Sequence, residues 1–274
     1  IAHTRVMQDR LCPGGANDYG SRRGVKGLKH MSILRIGAAA LALVLAAWGA
    51  VAADIVSHRG IYGLKLSSSR QGGAFVDARG GLDMTIEKTC DGWLLSQDLA
   101  MELATAQGDQ VRQAIRYSGW ESLDSAQYRF ISKTRTDRTQ KDTKGTARAG
   151  AGDKPGEAVF ENTQTRKVSL PPGTRFPIAH AVWLIERALA GVHQAPSVVF
   201  DGTDGEGPQR VAAFIGRKIE AKDHGRAALG ALADQAGWTM RLAFFPEDGT
   251  EASPEYEMEI LQLVGTDGAF AALL

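Results

Sequence analysis

Apolar and polar residues alternate along most of the chain, and this pattern predicts β-strands. The clearest example is the segment 82–88, in which Leu82, Met84 and Ile86 share one face and polar residues occupy the other. A period of two is typical of a half-buried antiparallel strand. Similar segments predict strands at 59–66, 93–105, 112–119, 128–136, 146–148, 158–161, 197–200, 211–219, 239–245 and 255–264. Their close spacing favours a meander that closes into a sandwich or barrel.

Glycine-containing pairs predict where these strands turn. Gly72-Gly73 and Gly80-Gly81 are expected to separate the early strands, and Asp91-Gly92 is a hairpin signal. The alternation stops at the segment LPPGT over 170–174, where two prolines and a glycine break the strand pattern.

A helical period follows that break and predicts one amphipathic helix over 176–190. Pro177 suits its first turn, and Gly191 suits the position just after its end. The apolar stripe of this helix consists of Ile178, Val182, Ile185 and Leu189. A single helix in a chain of strands is expected to pack against the concave face of the sheet.

The N-terminal region has the pattern of an export signal. An apolar run over 36–47 follows one positive charge and ends on small residues with the A-x-A spacing of a cleavage site. We therefore predict a secretory signal peptide at 31–52, and we interpret 1–30 as disordered upstream sequence that is not native. A twin-arginine signal at Arg22-Arg23 is disfavoured, because the spacing between this pair and the apolar run is poor. The expected product is one exported domain over 53–274 without a membrane span.

The net charge changes sign once the predicted leader is left out. The 274-residue chain has a net charge of +1, but the 222 residues after position 52 have a net charge of −4. A nucleic-acid partner thereby loses its compositional support. The polar segment 134–154 could form a surface strip that binds phosphate or lipid headgroups. A solvated pair of strands with a loop is the favoured interpretation, since single charges near a surface contribute little energy.

Candidate chemistry is sparse, so no enzyme, metal site or cofactor is predicted. The segment 201–207 looks like a calcium loop, but Gly205 and Ala212 stand where an EF-hand needs oxygen ligands, and a hairpin loop is favoured. No nucleophile elbow, phosphate-binding loop or dinucleotide fingerprint occurs. The four histidines after position 52 lack metal-site spacing, and His180 is expected to pack or hydrogen-bond. These histidines are His58, His180, His193 and His224.

Cys90 is the single cysteine after the predicted cleavage site, because Cys12 lies in the discarded segment. In an exported protein this arrangement suggests a missing partner, an intermolecular bridge or a reactive thiol.

Several motifs, in order, resemble the EipB family of periplasmic cell-envelope integrity proteins of Gram-negative bacteria. They are HRGIY at 58–62, WES at 120–122, LPPGTRFP at 170–177 with His180, FDG at 200–202, and Gly216. The resemblance extends from about Ile55 to the end of the chain, and PPGTxFPxxH is its most specific motif. The motif residues singled out as candidate site positions are Trp120, Pro171, Pro172, Gly173, Thr174, Phe176, Pro177, His180, Asp201 and Gly202.

The resemblance implies a fold and a role. The fold is a mainly antiparallel β-spiral, an incomplete barrel with one helix on its concave face, similar to the LolA/LolB lipoprotein carriers. The role is a non-enzymatic periplasmic scaffold or binding protein that supports envelope integrity under stress. The partners implied are a periplasmic TPR-repeat protein and an apolar ligand. A carrier of lipid or lipoprotein through the barrel cavity is the alternative.

The resemblance also implies a disulfide between an early strand and the extreme C-terminus. Cys90 matches the first cysteine, whereas the second is absent from this chain. We therefore expect that the sequence is truncated after Leu274.

Overall fold

Consecutive antiparallel hairpins build most of the protein in the computed structural model. The structure describes residues 3–7, 54–69, 75–137, 139–203, 205–221, 234–247, 249, 253–264 and 269–270. The predicted signal peptide and the expected turn at Gly72-Gly73 lie outside these residues. The predicted mainly β class is confirmed, since the described residues form fifteen strands and one helix longer than a turn.

Two sheets contain all of these strands. A nine-stranded sheet has the order β1-β3-β4-β5-β6-β7-β8-β9-β10. Its strands are β1 (His3–Val6), β3 (His58–Lys65), β4 (Phe75–Lys88), β5 (Gly92–Thr105), β6 (Gln110–Ser122), β7 (Gln127–Thr136), β8 (Gln140–Arg148), β9 (Gly156–Glu161) and β10 (Thr165–Leu170). Among the described residues β1 and β10 do not pair with each other, so this sheet does not close. The expected incomplete barrel is confirmed.

The second sheet has the order β11-β12-β13-β14-β15-β2. Its strands are β2 (Asp54–Ile55), β11 (Gln194–Val199), β12 (Gln209–Ile219), β13 (Ala236–Pro246), β14 (Tyr256–Val264) and β15 (Ala269–Phe270). Its pairs are antiparallel apart from β15 with β2. Arg175, in the link after β10, forms an isolated bridge with Val199 of β11 and so connects the region of the helix to the second sheet.

The predicted strands are all present, but Gly80-Gly81 was wrongly predicted to separate two of them. β4 runs through both glycines, and each pairs with a residue of β5. A Cβ atom on Gly80 would overlap the Ala100 carbonyl oxygen. The glycine therefore allows two strands to approach closely instead of making a turn. The short strand β10 was not predicted, because its residues are mostly polar.

Helix α1 (Pro177–Leu189) confirms the predicted helix to within one residue at each end. Gly191 has a φ of +71°, and the amides of Gly191 and Val192 donate to the carbonyls of Ala188 and Arg187. This is the hydrogen-bond pattern of a Schellman motif, as the glycine predicted. The predicted stripe was wrong at its end, because Leu189 is 45% exposed. The buried side chains of the helix are Ile178, His180, Leu184, Ile185 and Ala188.

The core is formed by α1, by one face of the nine-stranded sheet, which we call the inner face, and by buried side chains of the second sheet such as Val211, Met240 and Ile260. The inner face of β6 and β7 carries Tyr117, Tyr128 and Phe130, each at most 4% exposed. The opposite, outer face of the same strands is mostly polar and largely exposed, with Trp120 and Ile131 among its apolar side chains. This alternation is what the period of two predicts for a sheet with one solvated face.

Candidate functional site

A buried carboxylate begins the helix that the sequence predicted. Phe176 is the residue before the first turn of α1, and no side chain of its own segment caps the helix. Instead Glu121 of β6 accepts the backbone N–H groups of Ile178 at 2.8 Å and Ala179 at 2.9 Å. Backbone N–H groups of a first helical turn have no partner within the helix. Glu121 therefore supplies a cap from a strand that is distant in sequence.

Two opposing effects act on the Glu121 carboxyl group, which is 1% exposed. Burial raises its pKa above the ordinary value, whereas hydrogen bonds from Ser125, Ile178 and Ala179 favour the charged form and oppose that shift. The positive end of the helix dipole also favours a carboxylate at this place. The geometry is that of a structural anchor between the sheet and α1.

A cluster of aromatic side chains packs next to the start of α1. Tyr128 stacks on Phe176 with ring centroids 4.9 Å apart and on Phe130 at 5.9 Å. Phe130, Phe160 and Phe200 meet one another edge to face at 5.4–5.9 Å. The cluster thus joins β7 and β9 to the residue before α1 and to the end of β11. Edge-to-face and offset contacts of this kind add to the stability gained by burial.

Asp201 and Gly202 connect the loop between β11 and β12 to the aromatic cluster. The Asp201 carbonyl oxygen accepts the hydroxyl of Tyr117 at 3.0 Å and that of Tyr128 at 3.4 Å. Gly202 has a φ of +72°, and a Cβ atom there would lie 2.5 Å from the Phe130 ring. Both motif residues therefore serve the packing of this loop. The prediction of a hairpin loop at 201–207 is confirmed by the antiparallel pairing of its two strands.

The residues Pro171–Thr174 form the tight turn that leads from β10 towards α1. The backbone N–H and the Oγ1 hydroxyl of Thr174 both donate to the Pro171 carbonyl, at 3.1 and 2.7 Å. Gly173 has a φ of +78°, which a side chain would disfavour, and Pro172 is exposed. Pro177 then occupies the first position of α1, where a missing N–H costs nothing. This segment sets the direction in which the chain enters the helix.

His180 is buried on the first turns of α1, as a packing and hydrogen-bonding residue. Its Nε2 atom lies 3.0 Å from the Ser197 hydroxyl, and its ring stacks on Trp183 with centroids 6.0 Å apart. Burial, followed by the charge of Arg175, lowers its pKa to about 4. The ring is therefore neutral at physiological pH.

Trp120 stands apart from the other motif residues. It alternates with Gly119 and Glu121 and so belongs to the outer face, where the guanidinium of Arg129 lies 4.8 Å from its ring centroid. The structure therefore brings Phe176, His180, Asp201 and Gly202 to the inner side but places Trp120 on the other side of the sheet.

Cys90 occupies the exposed turn between β4 and β5. Cys12 and the C-terminal residues after Phe270 lie outside the described residues. The disulfide that the family resemblance implies, between Cys90 and a C-terminal cysteine that this sequence lacks, stays a prediction.

His58 and His193 each have a ring nitrogen within hydrogen-bond distance of a backbone carbonyl oxygen. His58 Nδ1 lies 2.7 Å from the Val56 oxygen, and His193 Nδ1 lies 2.9 Å from the Ile215 oxygen. Burial lowers the pKa of His58. His224 lies outside the described residues. Within the part of the chain that the structure describes, no three His, Cys, Asp or Glu residues are grouped closely enough to hold a metal ion.

A recess of about 740 Å³ opens near one end of the long strands, away from the motif residues. Leu64 and Met101 contribute apolar surface to it, and Arg79 and Arg112 contribute positive charge. Both arginines lie beside Glu102, at 2.9 and 3.8 Å. Small-molecule sites usually have volumes of about 300–1,000 Å³ and a largely apolar lining with a few polar groups. The recess has this size and this mixed chemistry.

Sequence reasoning missed Glu121, Tyr117 and Tyr128, which hold the motif residues in place. The signal for Glu121 was its position next to Trp120 in the WES motif, where strand alternation places it on the buried side. A carboxylate at a buried strand position needs a partner. The partner itself, a helix start 57 residues later, leaves no local trace in the sequence.

The described part of the chain contains no helix that is both long enough and apolar enough to cross a membrane.

Comparisons with known proteins agree with this geometry. The cell envelope integrity protein EipB of Brucella abortus (strain 2308) is 24% identical over 231 residues, which cover 79% of this chain and 80% of that protein. The crystal structure of a β-barrel-like protein of domain of unknown function DUF1849 from Brucella abortus matches with a TM-score of 0.66 and 21% identity, over 81% of this chain and 92% of that chain. The family profile described as EipB-like matches residues 49–263, which is well over half of the sequence. The chain therefore belongs to the EipB-like family.

Proposed function

We propose that this protein supports cell-envelope integrity from the periplasm, as a scaffold or binding protein that catalyses no reaction. The name of its relative from Brucella abortus supports an envelope role. The packed interior is the observation that supports a scaffold or binding role without catalysis. Helix α1, the aromatic cluster and the loop after β11 fill the inner side with side chains that are nearly fully buried. Partners would accordingly be bound at the outside of the molecule or in the recess.

The pair formed by His180 and Ser197 comes closest to a catalytic arrangement among the described residues. A serine nucleophile needs a base that is itself oriented by a third group, commonly a carboxylate. No described carboxylate hydrogen-bonds His180, and the charge beside it is the cation Arg175. These contacts favour a structural hydrogen bond over a hydrolase.

A periplasmic carrier of lipid or lipoprotein is the second candidate. The recess favours it, because its volume and partly apolar lining suit part of an acyl chain. The packed inner side disfavours transport through the centre of the barrel. A periplasmic TPR-repeat protein, which the family resemblance implies, is the partner that we propose for the scaffold function.

Deletion of the gene tests the proposed envelope role. We expect the deletion strain to be more sensitive than its parent to detergents and to antibiotics that act on the cell wall. A plasmid copy should restore resistance, and the same copy with Gly202→Glu, which would disrupt the loop on Phe130, should not. A deletion strain with the resistance of its parent would contradict the proposal.

A further inference from the structure

The outer face of β7 and β8 carries a cluster of positive charges around one exposed apolar side chain. We call this cluster the basic face. It consists of Arg129, Ile131, Lys133 and Arg135 on β7 and Lys144 and Arg148 on β8. All six side chains are exposed, and Ile131 is 43% exposed. Ile131 pairs with Lys144 in the register between the two strands, so the isoleucine lies among the cations.

Within the part of the chain that the structure describes, the five cations of the basic face have no ion-pair partner. By contrast, Arg116 of the neighbouring β6 is paired with Asp98 at 2.7 Å. On the other side, Glu157 of β9 is paired with Lys167. Asp142 is the one acidic residue on this face of the two strands. A domain that is acidic overall thus concentrates positive charge on one side of one sheet.

We propose that the basic face is a docking surface for a membrane rich in anionic phospholipids. Positive side chains beside such a surface are attracted to its headgroups. The residues from Arg129 to Arg135 extend over about 20 Å at the rise of a strand, which is long enough to contact several headgroups. Charge alone would also fit an acidic polypeptide. The exposed Ile131 favours lipid, since a bilayer offers apolar surface directly beneath its phosphates.

Trp120 gives the basic face an aromatic edge. It lies on the same outer side, paired with Arg129 across β6 and β7, and the guanidinium of Arg129 covers its ring. Tryptophan and arginine are both common at membrane interfaces, where an apolar body meets polar headgroups. This gives the motif residue Trp120 a role that the packing on the inner side does not explain. The inference deepens the proposed function and rests on it for the location of the protein.

The inference is tested by vesicle binding with the wild type and three variants. Each protein is purified as the cells produce it, without further processing. The four proteins are the wild type, K133E/K144E, I131S, and the matched control K65E/R217E, which makes the same charge change at exposed positions outside the basic face. All four share the same N-terminal segment, so its contribution cancels. The vesicles contain phosphatidylcholine, alone or mixed with phosphatidylglycerol.

We expect the wild type to bind only the vesicles with phosphatidylglycerol, and more weakly as salt is added. Each juxtamembrane cation contributes about fivefold in affinity, so K133E/K144E should bind at least about 25-fold more weakly. I131S should bind about fivefold more weakly, because it removes a partly buried isoleucine from the interface. The control should stay within about twofold of the wild type, because Lys65 lies on β3, four strands from β7 in the sheet order, and Arg217 lies in the second sheet.

Three outcomes would overturn the inference. K133E/K144E could bind as the wild type does, or the control could lose as much affinity as K133E/K144E. Alternatively, polyglutamate could bind the wild type as tightly as the vesicles do while I131S changes nothing, which would assign the face to an acidic polypeptide. Thermal unfolding confirms that each variant is folded, and K133Q/K144Q replaces the charge reversal if it is not. Failure here would leave the deletion phenotype intact, so the two proposals can fail separately.

Discussion

Replacement of Glu121 by alanine should destabilise the protein far more than loss of an ordinary surface carboxylate. Glu121 is 1% exposed and accepts the N–H groups of Ile178 and Ala179 at the start of α1. Alanine removes both acceptors, and the packed sheet leaves little room for water to replace them. The result is one buried and one partly buried backbone donor without partners, and a small cavity.

The expected loss follows from these contacts. A buried donor that loses its partner costs about 1–3 kcal/mol, and loss of a helix cap typically costs about 1 kcal/mol. Relief from burying the carboxylate offsets part of this, because burial raises the pKa of Glu121 and so opposes its charged form. We therefore expect Glu121→Ala to lower the free energy of unfolding by about 3 kcal/mol. In a domain of this size that corresponds to a fall in Tm of roughly 6–12 °C.

Urea unfolding followed by tryptophan fluorescence measures this loss. Glu157→Ala is the matched control, because Glu157 is an exposed carboxylate that pairs with Lys167 at 3.0 Å. Exposed pairs contribute about 0–1 kcal/mol, so the control should unfold almost as the wild type does. Glu121→Gln keeps one carbonyl acceptor and should fall between the two. A loss below about 1 kcal/mol for Glu121→Ala would refute the capping role.

Two further predictions concern residues of the PPGTxFPxxH and FDG motifs. Gly202→Ala should lower the free energy of unfolding by about 3 kcal/mol, because it adds a left-handed backbone penalty to an overlap with the Phe130 ring. Gly108→Ala, at φ +90° with open space around it, should cost about 1 kcal/mol in the same urea assay. His180 has a pKa of about 4 in the folded protein against 6.5 ordinarily, so the unfolded chain takes up a proton first as the pH falls. Stability should therefore decrease between pH 6.5 and 4, by up to about 3 kcal/mol, and His180→Gln should remove that part of the slope in urea titrations at several pH values. Equal slopes for both proteins would contradict the buried neutral ring.

The strands and the helix could be predicted from the sequence because each is encoded locally. Alternation defined 82–88, and the spacing of apolar residues defined α1 to within one residue at each end. Gly80-Gly81 shows the limit of this reasoning. A glycine pair signals a turn in most contexts, but here it permits close contact with β5, which depends on a partner strand that the local pattern does not identify.

The sequence predicted the motifs of the candidate site but not the contacts between their residues. Gly173 and Pro177 could be assigned from turn and helix-start chemistry alone. The roles of Asp201 and Gly202 could not, because both depend on tyrosines and a phenylalanine from strands far earlier in the chain. The basic face needed the register of β7 and β8, since the sequence of 134–154 does not show which charges share a side.

Native mass spectrometry of the protein isolated from the cell envelope determines whether the inner side holds a bound lipid. The inner side is filled by α1 and the aromatic cluster, and we therefore propose that partners bind from outside. After a high-salt wash that releases contacts with headgroups, we predict the mass of the polypeptide with no lipid bound. A stoichiometric phospholipid or acyl chain that survives this wash would contradict this proposal and would favour a carrier.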